Sequence, residues 1–257
     1  MKSELDLYDY WAYWDRPKIE WPNGAKLAFW VAPNIEFYEL NPPENPFRKP
    51  WPHPYPAVPG YSIRDYGNRV GHQRQMALLD KYGIRGSISL SAALCDHHPE
   101  IIDLCTERNW EFFSHGIYNT RYTYGLTEDE ERAMIEDAMA TIEKATGKRP
   151  AGYLAPALSH SDHTVDLFAE AGGIYTCDLF HDDQPTPVKT RSGKRFVSIP
   201  YSLELNDTIA FVVQKMEPRR YAQTIMRAFD ELLAEGAQSG TVMCIPTHNY
   251  QVSCPHR

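Results

Sequence analysis

Three residues of this chain have side chains suited to proton transfer and stand where an apolar run breaks off: Glu36, His115 and His248. Glu36 closes the stretch KLAFWVAPNIE (26–36) and shares a face with Asn34, because strand side chains two residues apart point the same way. A carboxylate there serves as a general base or as a metal ligand. His115 stands in Ser114-His115-Gly116 with Asn119 four residues on, and His248 stands in Thr247-His248-Asn249. Histidine titrates near neutrality and also ligates metals, so both positions suit acid–base work or holding an ion. A run of acids, Asp178, Asp182 and Asp183, follows Cys177. A lone histidine after a strand is more often structural, and paired aspartates more often make turns. Recurrence at one end of a shared architecture weighs against that bland reading. His97, His98, His160 and His163 have no strand before them and are taken as solvated.

A regular alternation of strand and helix has to position these groups. Lys26 to Ile35 reads as a buried strand behind the turn Asn23-Gly24, and Arg69 to Tyr82 as a helix stopped by Gly83. Strands are expected at Ile84 to Leu90, Trp110 to Ser114, Gly152 to Leu154, Ile174 to Cys177, Val197 to Pro200 and Thr241 to Pro246. Helices are expected at Pro99 to Arg108, from Thr127 to Gly147, at Thr164 to Ala171 and at Pro218 to Glu235. Thr127 with Glu130 makes a capping box. Between the first strand and the first helix, Asn41 to Gly60 holds many of the 20 prolines and reads as a long irregular loop. Its Trp51, His53 and Tyr55, with Tyr61 just beyond, suggest a lid over a pocket or an aromatic loop packed on the surface. The alternation implies parallel strands joined by crossover helices, in a doubly wound sheet or a barrel. No glycine-rich phosphate motif follows any strand, which favours the barrel, where chemistry gathers at the C-terminal strand ends.

The composition excludes several classes. The 257 residues carry 26 Lys+Arg against 34 Asp+Glu, a net charge of -8. That balance argues against a nucleic-acid or polybasic membrane binder, since both partners are anionic. Five cysteines without CxxC spacing indicate neither a disulfide framework nor a zinc ribbon. The N-terminus carries acids and aromatics where a signal peptide needs basic and then apolar residues, and no apolar stretch is long enough to span a bilayer. A cytoplasmic location is expected.

Several motifs, taken together, resemble the polysaccharide deacetylase (NodB-homology) superfamily. They are Asn34-Ile-Glu36, RDYGNRVG (64–71), SHGIYNT (114–120), DDQP (182–185), PYSLELND (200–207) and the closing THNY…PHR. The match is closest to the branch of PuuE-type allantoinases and cyclic imide hydrolases. It implies an α/β fold, a distorted TIM-like (β/α) barrel of the NodB-homology type, in one catalytic domain over 1–257. The chain ends just past the last motif, where related chains continue, so this domain is expected to be shortened at its C-terminus. The resemblance also implies hydrolysis of a carbon–nitrogen bond, usually an amide, by water attack on a carbonyl.

In sugar-acting members two aspartates after the first strand supply base and metal ligand, and an HxxxH motif gives two histidines to a zinc-like ion. Here the matching positions are Asn34, Glu36, His115 and Asn119. Leu154 stands where those members carry the arginine that holds the base. An amide at Asn34 does not take up a proton near neutral pH, so base and holder are lost together. The implied site has Glu36, His115 and His248 as catalytic residues, with Asn34, Asn119, Arg69, Asp183 and Tyr201 contacting substrate. Glu36, His115 and Asn119 would ligate a metal if one is bound. No cofactor and a divalent metal such as Zn2+ both remain open.

The expected activity is opening of a small cyclic ureide, imide or related amide. The alternatives are metal-dependent deacetylation of an N-acetylated sugar or oligosaccharide, and noncatalytic ligand binding by a deacetylase relic. The expected partner is the small-molecule substrate, with no nucleic acid or membrane, in a chain that forms homo-oligomers as members of that branch often do.

Overall fold

The computed structural model describes residues 6–44 and 56–257. The apolar run behind Asn23-Gly24 forms β1 (Leu27–Ile35), buried along its second half. A nearly continuous helical run follows: α1 (Val58–Tyr66), a π-type turn at Gly67–Gly71 and α2 (His72–Tyr82). The helix thus starts before Arg69 and inside the stretch expected to be loop. Pro59 permits this, because in the first turn its missing N–H would have no helical acceptor anyway. Trp51, His53 and Tyr55 lie outside the described residues.

The chain continues through β2 (Ser87–Leu90), α3 (Leu94–His97), α4 (Pro99–Glu107) and β3 (Glu111–Ser114). It then forms α5 (Glu128–Thr146), whose start is the expected capping box: Glu130 N donates to Thr127 Oγ1, and the Glu130 carboxylate accepts from Thr127 N at 2.8 Å. Four acids fill its first turn, where the helix dipole favours them. β4 (Gly152–Tyr153), α6 (Thr164–Glu170) and β5 (Tyr175–Thr176) come next, then β6 (Thr186–Val188), β7 (Phe196–Ser198), α7 (Pro218–Glu235) and β8 (Thr241–His248). The strand regularity did not announce α3 or β6.

The strands form one curled eight-stranded sheet in the order β6-β7-β5-β4-β3-β2-β1-β8. Every pair is parallel except β6–β7, so the architecture is the distorted TIM-like barrel expected. Apolar clusters lie on both faces. Ile35, Ile88, Leu90, Ile102 and Ile142 pack in one, and Phe113, Tyr175, Tyr201 and Cys244 meet in another. Each large side chain so buried contributes about 1.5–3 kcal/mol, which fixes the curl tightly enough to hold a site. All five cysteines are free. Among the described residues no helix is long and apolar enough to cross a membrane.

The register delivers the candidate residues. Asn34 lies opposite both Ser89 and His248, and Ser114 opposite both Leu90 and Tyr153. The C-terminal ends of five neighbouring strands therefore stand level; Glu36 and His115 follow directly from two of them and His248 ends a third.

Candidate active site

Glu36 is buried at 2% exposure and is the hub of the cluster. Its Oε1 stands 3.6 Å from His115 Nε2 and 3.5 Å from His248 Nε2, while Oε2 accepts a hydrogen bond from the Tyr250 hydroxyl at 2.7 Å. The two imidazoles are held from behind in different ways. His115 Nδ1 lies 2.8 Å from the Leu154 carbonyl, which can only accept, so this nitrogen carries the proton. His248 Nδ1 lies 2.6 Å from Asp207 Oδ1, and the other oxygen of that fully buried carboxylate accepts from the His248 backbone N–H at 2.7 Å.

The charges follow from these contacts. Burial alone would push the Glu36 carboxyl up, but His248 and His115 outweigh it and hold it well below the usual carboxylate range. Burial alone would push His248 down, and the Asp207 and Glu36 carboxylates raise it instead to about 10. At neutral pH the core of the site is an anionic glutamate facing a protonated histidine. Asp178, after β5, is pushed up by burial and held by the Ala155 N–H at 2.8 Å.

Backbone packing explains why the motifs contain glycine. A Cβ on Gly71 would stand 2.0 Å from Asn249 O, and one on Gly67 would stand 2.3 Å from Asn249 Oδ1. The turn 67–71 can press on the strand carrying His248 only without side chains there, and Asn68 uses the closeness to donate to the Glu36 carbonyl at 3.1 Å. Gly116 has φ +68, and a Cβ there would lie 2.4 Å from Pro156.

The remaining expected residues divide. Asn34 is buried and donates to the Tyr201 hydroxyl at 2.9 Å and to the Thr247 carbonyl at 3.2 Å, so Tyr201 supports Asn34 from the barrel interior. Asn119 is buried beside the site. Arg69 does not join them: its side chain is 71% exposed and paired with Asp65 on the next turn at 2.7 Å. Asp183 is also elsewhere, because its carbonyl accepts from Val242 N at the start of β8. Six residues of extended strand, about 20 Å, separate Val242 from His248.

The donor set does not fit the metal assignment to Glu36, His115 and Asn119. Both ends of the Asn119 amide are occupied, Oδ1 by the Ala157 N–H at 2.9 Å and Nδ2 by the Tyr38 hydroxyl at 2.9 Å. The histidine closest to Glu36, His248, presents a proton rather than a lone pair. Among the described residues no group of three or more His, Cys, Asp or Glu is placed to hold a metal ion.

Four contributors escaped the sequence reading: Asp207, Tyr250, Tyr38 and Arg64. Asp207 and Tyr250 end PYSLELND and THNY, and Arg64 opens RDYGNRVG, so position in the motifs was their available signal. The Arg64 guanidinium lies 3.9 Å from the Tyr38 ring centre and 4.6 Å from that of Tyr250. Beside Tyr38, Phe37 stacks on His97 at 4.1 Å and meets Tyr61 and Tyr118 edge-on.

Comparison with known proteins agrees with this geometry. The polysaccharide deacetylase family profile matches residues 62–175. The peptidoglycan deacetylase of Helicobacter pylori is 27% identical over 152 residues, 59% of this chain and 51% of that protein, so the match spans about half of the relative's length. The crystal structure of PuuE allantoinase superposes with a TM-score of 0.81 at 26% identity, covering 94% of this chain and 84% of that one. A probable polysaccharide deacetylase from Pseudomonas aeruginosa PAO1 gives 0.81 at 25% identity over 95% and 85%. These superpositions show that the chain shares the fold of those two structures. Over residues 62–175 the chain is similar to the polysaccharide deacetylase family.

Proposed function

We propose that the protein hydrolyses a carbon–nitrogen bond in a small cyclic ureide, imide or related amide, using Glu36, His115 and His248 as its acid–base machinery. The observation that carries this reading is the placement of Glu36 Oε1 within 3.6 Å of two imidazole Nε2 atoms, one ring backed by a backbone carbonyl and the other by the Asp207 carboxylate. His115, tethered through Nδ1 to the Leu154 carbonyl, turns its Nε2 toward Glu36 Oε1. A water in front of Glu36 gives it one O–H and turns a lone pair toward the substrate carbonyl carbon. As the C–O bond forms, the water proton passes to the Glu36 carboxylate. His248 then gives its Nε2 proton to the nitrogen as the C–N bond breaks. The 3.5 Å contact between Glu36 and His248 returns the proton and restores the resting state.

Likeness to the allantoinase structure over 94% of the chain supports the cyclic ureide class. The second reading, deacetylation of an N-acetylated sugar, is favoured by the stretch shared with the Helicobacter peptidoglycan deacetylase. Product release on allantoin, hydantoin, succinimide and N-acetylglucosamine oligomers, each with and without chelator, separates the two. Ring opening that survives chelation is the expected result. Chelator-sensitive acetate release would give the case to the sugar deacetylase, and binding without turnover to a noncatalytic relative.

A further inference from the structure

The acid–base cluster supplies a base and a proton donor to nitrogen, but the carbonyl oxygen, which gains charge during attack, also needs a partner. Hydrogen-bond bookkeeping around Asn119 identifies one. The Ala157 backbone N–H can only donate, so the Asn119 atom it meets at 2.9 Å is the carbonyl oxygen, and the amide nitrogen is the end that faces Tyr38. That nitrogen has no lone pair to offer, so the Tyr38 oxygen accepts the 2.9 Å bond. The phenol's own proton is then left over, and among the described residues no acceptor takes it. Against the ring stands the Arg64 cation, 3.9 Å from its centre, drawing electron density from the phenol and strengthening the O–H as a donor. Arg64 also touches the Tyr250 ring, whose hydroxyl holds Glu36 Oε2, which ties Tyr38 to the wall of the acid–base cluster.

The clamp is built at a backbone cost. Ala157 and Leu158 both adopt positive φ, 49° and 58°, a conformation that residues with a Cβ avoid. Asn119 grips the N–H of the first of them. The position where sugar-acting relatives place their second metal histidine is occupied here by an amide that aims a phenol.

We propose that Tyr38 is a catalytic residue that donates its hydroxyl hydrogen to the substrate carbonyl oxygen, with Asn119 as the positioning residue that keeps this hydrogen free. This rests on the metal-independent reading above and assigns the electrophile that reading requires. No bond is made or broken at Tyr38; it lends a hydrogen bond that shortens as the oxyanion forms.

Two substitutions test the assignment in the full chain. Tyr38→Phe keeps the ring against Arg64 and removes only the hydroxyl. Asn119→Asp keeps the bond to Ala157 N but presents an acceptor to Tyr38, which draws the phenol proton away from substrate. Both should lower kcat on the ring substrate by about 10²–10³-fold, as loss of an oxyanion donor does. Affinity for succinimide, measured by calorimetric titration, should fall by no more than about fivefold, the worth of one neutral hydrogen bond. The double variant should be no slower than Tyr38→Phe alone, since both remove the same hydrogen bond. Equal kcat in Tyr38→Phe and wild type, with activity still resistant to chelator, would sink this inference and leave the proposed function standing. Chelator-sensitive activity, or no succinimide binding by wild type, would sink both. If wild type binds succinimide without turnover, the titration decides: unchanged affinity in Tyr38→Phe overturns the assignment, and a severalfold loss supports it.

Discussion

Two polar regions sit some 20 Å apart along β8, and their charges are arranged differently. At the start of the strand, Arg16 meets both oxygens of Asp182 at 2.5 and 2.7 Å, and Gln184 ties the same segment to the Gly240 carbonyl at 3.0 Å. Cavities of about 450 and 650 Å³ open there, lined in part by Arg16, His181 and Asp182. At the end of the strand, Glu36, His115, His248 and Asp207 pack closely. The titration states choose the second: burial lowers His181, which stacks on Tyr8, whereas His248 is driven up to about 10 beside a carboxylate held low. The Arg16–Asp182 pair satisfies itself, since arginine does not release its proton. An acid and a base with separated affinities, and one shared contact, can trade a proton and be reset.

The sharpest way to break this comparison is to remove one carboxylate from each region. Glu36→Gln should lower kcat by about 10²–10⁴-fold on any substrate the protein turns over, while Asp183→Asn leaves it within about twofold. Comparable losses in steady-state assays would erase the distinction. Asp207→Asn comes next. It removes the charge that raises His248, so the alkaline limb of the kcat–pH profile should move from about 10 toward the ordinary histidine range, with about a tenfold loss of rate at pH 8.

Stability should carry the same signature. His248 has its folded value raised above the usual 6.5, so its contribution is complete below pH 6.5 and is lost as pH rises through about 10. Glu36 is depressed, so its contribution is present above about 4.5 and is lost as pH falls through its folded value. Urea midpoints should therefore be highest between about pH 4.5 and 6.5 and decline toward pH 10. A midpoint that climbs through that alkaline range would contradict the protonated His248.

Arg16→Ala should do the opposite of Glu36→Gln, lowering stability by about 1–3 kcal/mol in urea titration while leaving kcat within about twofold. The smallest effect is expected at Arg69, whose exposed pairing with Asp65 is an i,i+4 contact worth about 0.3–0.5 kcal/mol. Arg69→Ala should move neither rate nor midpoint beyond that.

The misplacement of Asp183 shows where linear reading fails. Aspartates shortly after a strand belong at the active end if the chain stays there. Asp178 obeys, its carboxylate accepting from Ala155 N beside β4. By Asp183 the chain has run down the open edge of the sheet to bond Val242, and β6 then pairs antiparallel with β7. Arg69 fails for another reason. The helix starts eleven residues earlier than its apolar spacing indicated, and in that continuous run Arg64 faces Tyr38 and Tyr250 while Arg69 faces solvent.

What the sequence determined by itself is whatever depends on neighbours in the chain: the strand–helix alternation, the capping box at Thr127, the inward face shared by Asn34 and Glu36, and the placement of His115 and His248 at the ends of their strands. Periodicity and capping are local, so they can be read without a fold. Tertiary structure alone decided that His115 Nδ1 meets the Leu154 carbonyl, that Asp207 lies behind His248, and that Asn119 bonds Tyr38. Each of these depends on a donor or acceptor 39 to 81 residues away in the chain, brought within 3 Å by the curl of the sheet.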